Sequence, residues 1–189
     1  MEKILSGTQA NDWMQTWIKE EKTASLFGVL STTGLDGTPK ARVIAIREIN
    51  EEGVLFFTQL SSEKVQQIQQ CNDVCITLFL PDNRRQISLE GKATALESDQ
   101  NDYYWSSYPK ISKIRFLIYG PESGKQIESN AGLDEKLKKS LTQYQDQVIN
   151  RPEAYVGYRI DSSVIKLYQL NLDRISDSFV LKDLCTAAF

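Results

Sequence analysis

The chain opens on a helical pattern. In TQANDWMQTWIKEEK (8–22) apolar side chains recur at three-to-four spacing, and Trp13 and Trp17, with Leu5 or Ile18, make the stripe of an amphipathic helix. The period then shortens to two. ASLFGVLSTT (24–33) and ARVIAIRE (41–48) read as strands around the turn GLDGTPK (34–40), which supplies Gly, Asp and Pro. INEEG turns the chain again, and VLFFTQ (54–59) is a third strand. SSEKVQQIQQ (61–70) starts with hydroxyls and spaces Val65 and Ile68 three apart, the mark of a short helix.

DVCITLFL (73–80) is apolar and β-branched enough for a buried strand, and PDNRR (81–85) is a turn. QISLEGKATALE (86–97) is a long strand with Gly91 at a bulge. Helical spacing returns in DQNDYYWSSY (99–108) and ISKIRFLIY (111–119), divided by Pro109. GPESGKQIESNAGL (120–133) is a loop, DEKLKKSLTQYQDQ (134–147) an exposed helix whose lysines form a solvated face, and AYVGYRID (154–161), SVIKLYQL (163–170) and DSFVLK (177–182) are closing strands. Strands of antiparallel type, interrupted by helices and then resumed, predict a mainly β chain with peripheral helices packed outside a small barrel.

Composition narrows the chemistry more than the fold. The 189 residues suit one domain, and 41% hydrophobic with 25% charged residues is ordinary for a globular protein. A net charge of −3 argues against general nucleic-acid binding. No run reaches the roughly 18 apolar residues of a membrane helix, and MEKILSGTQANDW lacks an apolar leader core. Three cysteines (Cys71, Cys75, Cys185) form no paired framework, so a reduced, cytoplasmic setting is expected. Histidine is absent. That removes Ser-His-Asp and Cys-His catalysis and the commonest metal ligand, and no metal site is expected. An enzyme of this composition needs an organic cofactor, or carboxylate, lysine or tyrosine chemistry.

Two places could carry such chemistry. After Thr58 a loop leads into a helix start with Ser61, Ser62 and Lys64, and backbone N–H groups, hydroxyls and an ammonium together suit a phosphate. On that stretch alone the plainer account, an N-cap serine and a solvated lysine, is the stronger. Arg42 shifts the balance. An arginine opening a core strand needs an anionic or hydrogen-bonding partner, either a phosphate or a nearby Asp or Glu. Arg47 lies five residues on, so an ideal strand points the two to opposite faces.

The order Arg42–Arg47, Phe57-Thr58, Ser62-Glu63-Lys64 and then RRQISLEGKA resembles the pyridoxamine 5'-phosphate oxidase family. The family pattern runs Arg plus four residues plus Lys, Tyr-Thr, Ser-Arg-Lys, and Arg-Gln with a following Gly. The likeness extends from about Thr23 to about Val180 and implies one domain, 1–189, with the fold of an FMN-binding split β-barrel. By resemblance, Arg42 and Lys64 hold the phosphate of flavin mononucleotide (FMN), with Ser123 reaching it from another loop. Phe57 and Thr58 line the flavin, Gln86 bonds near its ring, and Tyr168 replaces a tryptophan beside it. Arg47 stands at the lysine of the first motif, at both cofactor and substrate. Tyr104, Tyr108 and Ser112 fall at the remaining positions of the substrate phosphate grip, and Arg174 at the arginine over the substrate ring.

Five departures matter. Glu63 replaces an arginine, Glu122 a glutamine and Ser178 an arginine, so cofactor binding is expected to be weaker. Tyr108 in place of arginine removes a charge and a bidentate fork, while Ser176 replaces a histidine. Vitamin B6 phosphate oxidation is therefore expected to be poor. The expectation is an FMN-dependent oxidoreductase with an altered substrate pocket, acting as a homodimer on a small molecule. The alternatives are a non-catalytic flavin carrier or sensor and a cofactor-free interaction barrel, the latter favoured by Glu63. Trp13 and Trp17 read as core anchors; Tyr103, Tyr104 and Trp105 read as packing as readily as ligand contacts.

Overall fold

The computed structural model describes residues 2–21, 25–50, 52–120, 130–145 and 147–182. Its elements are β1 (Glu2–Ile4), α1 (Gly7–Glu20), β2 (Leu26–Thr33), β3 (Pro39–Ile46), β4 (Glu48–Asn50), β5 (Gly53–Gln59), α2 (Glu63–Gln70), β6 (Asp73–Leu80), β7 (Arg85–Ala95), α3 (Ser98–Ser106), α4 (Lys110–Tyr119), α5 (Asn130–Gln143), β8 (Tyr155–Gln169) and β9 (Asp177–Lys182). The strands join one sheet in the order β1-β9-β8-β7-β6-β2-β3, with β5 pairing β4 and β8. Among the described residues no helix is long and apolar enough to cross a membrane. Residues within 1–56, 67–94 and 158–189 form one compact unit, and those within 57–66 and 95–157 another.

In the first unit, Ser6 caps α1. Its hydroxyl accepts from Gln9 N at 3.3 Å and Gln9 Oε1 accepts from Ser6 N at 3.1 Å. The buried stripe is Ala10, Met14 and Trp17; Trp13 is 38% exposed and turns its ring edge-on to Phe179. The anchor pair expected from the tryptophans is thus half right, because the 100° turn per residue puts Met14, not Trp13, on the line through Trp17.

β2, β3 and β6 alternate as half-buried strands do, while β7 buries Ile87, Ser88 and Leu89 in succession. Leu30, Ile44, Ile46, Ile76, Leu78 and Leu89 are buried, while Phe27, Val43 and Phe79 lie exposed on the other face. The β6–β7 register runs from Asp73↔Lys92 to Leu80↔Arg85 without a slip, so Gly91 sits at no bulge in that pair. Its glycine has another cause. A Cβ there would lie 2.0 Å from Asp161 O, so the β8 backbone comes too close for any side chain. β8 itself is a single 15-residue strand where two were expected, since Asp161, Ser162 and Ser163 continue the extended backbone. β4 was read as a turn and β1 was not foreseen; three residues hold too short a pattern to show a period.

The second unit is aromatic. Trp105, Ile114, Ile149 and Tyr155 are buried together, with Phe57, Tyr108 and Phe116 packed against them. Phe57 stacks on Tyr155 at 4.7 Å between centroids; Trp105 and Phe116 meet the same ring edge-on at 4.8 and 5.1 Å. Trp105 satisfies its N–H on Ile149 O at 2.8 Å. Gly157 makes room for Phe57, because a Cβ would fall 2.5 Å from that ring.

Candidate functional site

Arg42 lies at the inward parity of β3, with Ile44 and Ile46, and pairs with Leu30 of β2. Thr32 holds the same parity on β2 and is 5% exposed. The guanidinium therefore reaches across to β2. Its Nη1 donates to Thr32 Oγ1 at 2.7 Å and to Leu30 O at 3.2 Å, and its Nη2 donates to Gln67 Oε1 at 2.6 Å. Thr32 Oγ1 donates to the same Gln67 Oε1 at 2.6 Å, closing the network. Among the other arginines of this unit, Arg85 pairs with Glu20, Arg159 with Glu52 at 2.8 Å, and Arg174 with Asp177 at 2.6 Å.

Arg47 is exposed at the bend that follows β3, so strand parity does not set its direction, and the network gathers Thr32 and Gln67 around Arg42. Gln86 is exposed beside Phe79 in the β6–β7 register, and Tyr168 pairs with Ser178 in the β8–β9 register. Arg174 belongs to a loop closed on itself: Asn171 and Arg174 both donate to Asp177 Oδ2, at 3.3 and 2.6 Å. Asp177 raises the Arg174 pKa further, by its hydrogen bond first and its charge second. Ser176 accepts from Asn171 N at 3.3 Å and so helps to shape the loop. Trp13, Trp17, Glu20, Arg85, Arg174 and Phe179 line a cavity of about 420 Å³ here.

In the second unit Lys64 Nζ donates to Thr58 Oγ1 at 3.1 Å, and the Thr58 and Ser62 hydroxyls are 3.3 Å apart. Ser62 is 7% exposed, so this serine is more than a solvated cap. Phe57 uses its ring in the aromatic cluster, 5.2 Å from Tyr104 and 6.3 Å from Tyr108. Ser112 lies in the first turn of α4, half-buried. Ser123 and Glu122 lie outside the described residues, as does Cys185.

Arg42 in the first unit and, separately, Lys64 with Thr58 and Ser62 in the second offer N–H and O–H donors, and a guanidinium and an ammonium are both groups that bind phosphate. Thr32 and Gln67 escaped the sequence reading. Gln67 stands in QQIQQ, a run that looks solvated, although Thr32 at the inward parity of β2 was a readable sign.

The model of the family described as pyridoxamine 5'-phosphate oxidase matches residues 14–133. The chain is 32% identical over 148 residues to the pyridoxine/pyridoxamine 5'-phosphate oxidase of Flavobacterium johnsoniae, covering 78% of this chain and 68% of that one. It is 29% identical over 174 residues to the Leptospira interrogans protein of that name, covering 90% and 80%. Among solved structures it resembles PhzG from Burkholderia lata 383, in complex with tetrahydrophenazine-1-carboxylic acid, at a TM-score of 0.77 and 22% identity, over 95% of this chain and 87% of that one. A pyridoxamine 5'-phosphate oxidase-related, FMN binding protein from Nostoc punctiforme gives 0.63 at 18% identity, over 88% and 93%. These structural likenesses establish the fold as the mainly β split barrel.

Proposed function

Because the chain belongs to the pyridoxamine 5'-phosphate oxidase family, we propose that it is an FMN-dependent oxidoreductase with an altered substrate pocket. The observation that carries this reading is the Arg42 guanidinium, held on the inward face by Leu30 O, Thr32 and Gln67 at the position of the family's phosphate arginine. Arg42 and Lys64 hold the FMN phosphate, with Ser123 as a further contact. Phe57, Thr58, Gln86 and Tyr168 line the ring. FMN, when bound, supplies the two-electron redox chemistry, so no histidine is needed. The protein's own part is to bind, orient and exclude water.

On the substrate side, Arg47, Tyr104, Tyr108, Ser112 and Arg174 face a small molecule. Tyr108 packs on Trp105 and Tyr155 and contributes an aromatic wall where the family has a cation. Ser176 is engaged with Asn171 N and offers no imidazole. A substrate less anionic than pyridoxamine 5'-phosphate suits this set. The protein works as a homodimer, supported by the exposed Phe27, Val43 and Phe79 on one sheet face, and in a reducing, cytoplasmic setting, supported by free Cys71 and Cys75.

Absorbance spectra of the purified chain, followed by steady-state oxidation of pyridoxamine and pyridoxine 5'-phosphates on FMN-saturated protein, test this reading. The expected result is a flavin spectrum with B6 turnover far below one per second. Turnover near one per second at micromolar substrate, an ordinary enzymatic rate, would show that the pocket still serves the family's reaction. A colourless protein with no affinity for FMN would remove the cofactor.

A further inference from the structure

Gln67 is the one residue of QQIQQ whose side chain the fold hides completely, at 0% exposure. A fully buried amide must be satisfied, and here its Oε1 takes two hydrogen bonds, from Arg42 Nη2 and from Thr32 Oγ1, both 2.6 Å long. The Thr32 hydroxyl has one proton, which it gives to Gln67, and it accepts from Arg42 Nη1 at 2.7 Å. Each member of the triangle thus fixes the other two. Changing the rotamer of Arg42 would strip a buried amide oxygen and a buried hydroxyl of their shared donor, so the guanidinium has one favoured setting.

We propose that Thr32 and Gln67 are positioning residues: through these hydrogen bonds they set the Arg42 fork in advance for a phosphate monoester. This rests on the reading that Arg42 holds the FMN phosphate. A fork already oriented loses less freedom when the anion arrives, so the phosphate contributes more to affinity.

Riboflavin carries the same ring as FMN and no phosphate, so the ratio of the riboflavin Kd to the FMN Kd isolates the phosphate's share. Fluorescence titration of the full chain gives both constants. In the parent protein the ratio should exceed one, and Arg42→Ala should lower it by about tenfold to a hundredfold, the scale of a charge-assisted hydrogen bond. Thr32→Val keeps the volume and loses the hydroxyl; Gln67→Leu loses the amide. Each should lower the ratio by about tenfold with the riboflavin constant unchanged. Gln67→Glu keeps an acceptor for both donors but adds a charge that pairs with Arg42, and should lower the ratio at least as far.

A purely structural role would weaken both ligands together and leave the ratio alone. If the ratio falls with Arg42→Ala but not with Thr32→Val or Gln67→Leu, the positioning role is wrong and the phosphate reading stands. A parent ratio of one overturns both. Should Gln67→Leu fail to fold, Thr32→Val decides alone, since it preserves shape at a β2 position.

Discussion

Arg42 in the first unit and Tyr155 in the second each sit at the centre of a web of neighbours, and different physics holds them. Arg42 is half-buried and bound by three directed hydrogen bonds to neutral oxygens. Tyr155 is 0% exposed and enclosed by the rings of Phe57, Trp105, Tyr108 and Phe116. A packed ring is fixed by volume: it tolerates small changes of direction and suffers when neighbouring mass is removed. A hydrogen-bonded guanidinium is fixed by direction and suffers when an acceptor is lost. Substitutions in the aromatic web should therefore act on stability, and those in the polar web on binding.

The hardest test of that contrast is Trp105→Ala. It removes a buried aromatic at 3% exposure and the 2.8 Å bond to Ile149 O. Large-to-small changes of this kind cost about 3–5 kcal/mol. Urea denaturation should show such a loss. A change below about 1 kcal/mol, the size of an ordinary surface substitution, would mean that the cluster does not hold its unit together.

Two glycines sharpen the comparison. Gly91→Ala would bring Cβ 2.0 Å from the backbone oxygen of Asp161, which cannot move without disturbing β8. Gly157→Ala would meet side chains instead, Phe57 at 2.5 Å and Leu96 at 2.8 Å. Overpacking against movable side chains costs about 1–3 kcal/mol, and the strand backbone should resist more strongly. Thermal unfolding should rank Gly91→Ala below Gly157→Ala in stability. The reverse order would show that the aromatic web is the stiffer of the two surroundings.

The polar web has its own prediction. Arg42→Ala should weaken FMN binding by about 1.5–3 kcal/mol while leaving the fold nearly as stable, because Thr32 and Gln67 remain bonded to each other at 2.6 Å. Titration beside a denaturation curve checks both halves. An unchanged FMN affinity would take Arg42 out of the site. A stability loss as large as that of Trp105→Ala would erase the distinction between the two webs.

Much of this was legible in the residues, and the failures have physical causes. Strands β2, β3 and β6 show their period, and β6 was placed at the residues where it lies, because alternation of burial is written into each strand separately. Arg42 stood out as a charge opening a core strand. Its partners did not. Gln67 and Arg42 are 25 residues apart, and only the Leu30↔Arg42 register and the course of α2 bring them together. The role of Tyr155 was equally hidden, since the neighbours that make it central come from Phe57, α3 and α4. Gly91 was noticed for the right residue and the wrong reason, because a close pass of another strand leaves no local pattern.

The smallest predicted effect separates direction from burial. Asp36, in the β2–β3 turn, accepts from Thr38 N at 3.0 Å and Thr38 Oγ1 at 2.7 Å and pairs with Lys40 at 3.2 Å. Like the Arg42 network this is a directed polar web, but it is open to water. The Thr38 hydroxyl first, its backbone N–H second and Lys40 third hold the Asp36 carboxyl down to about 2, from an ordinary value of 3.8. A depressed carboxylate pKa contributes stability above the unfolded value and loses it as pH falls through the folded one. The stability advantage of the parent over Asp36→Asn should then be full at pH 5 and shrink between about pH 4 and pH 2, as thermal unfolding of both proteins across that range would reveal. Solvent screening keeps this advantage small. A gap that stays constant with pH would mean that the turn is closed by backbone geometry, including the 2.7 Å bond from Gly34 N to Thr38 O, and that the carboxylate adds nothing of its own.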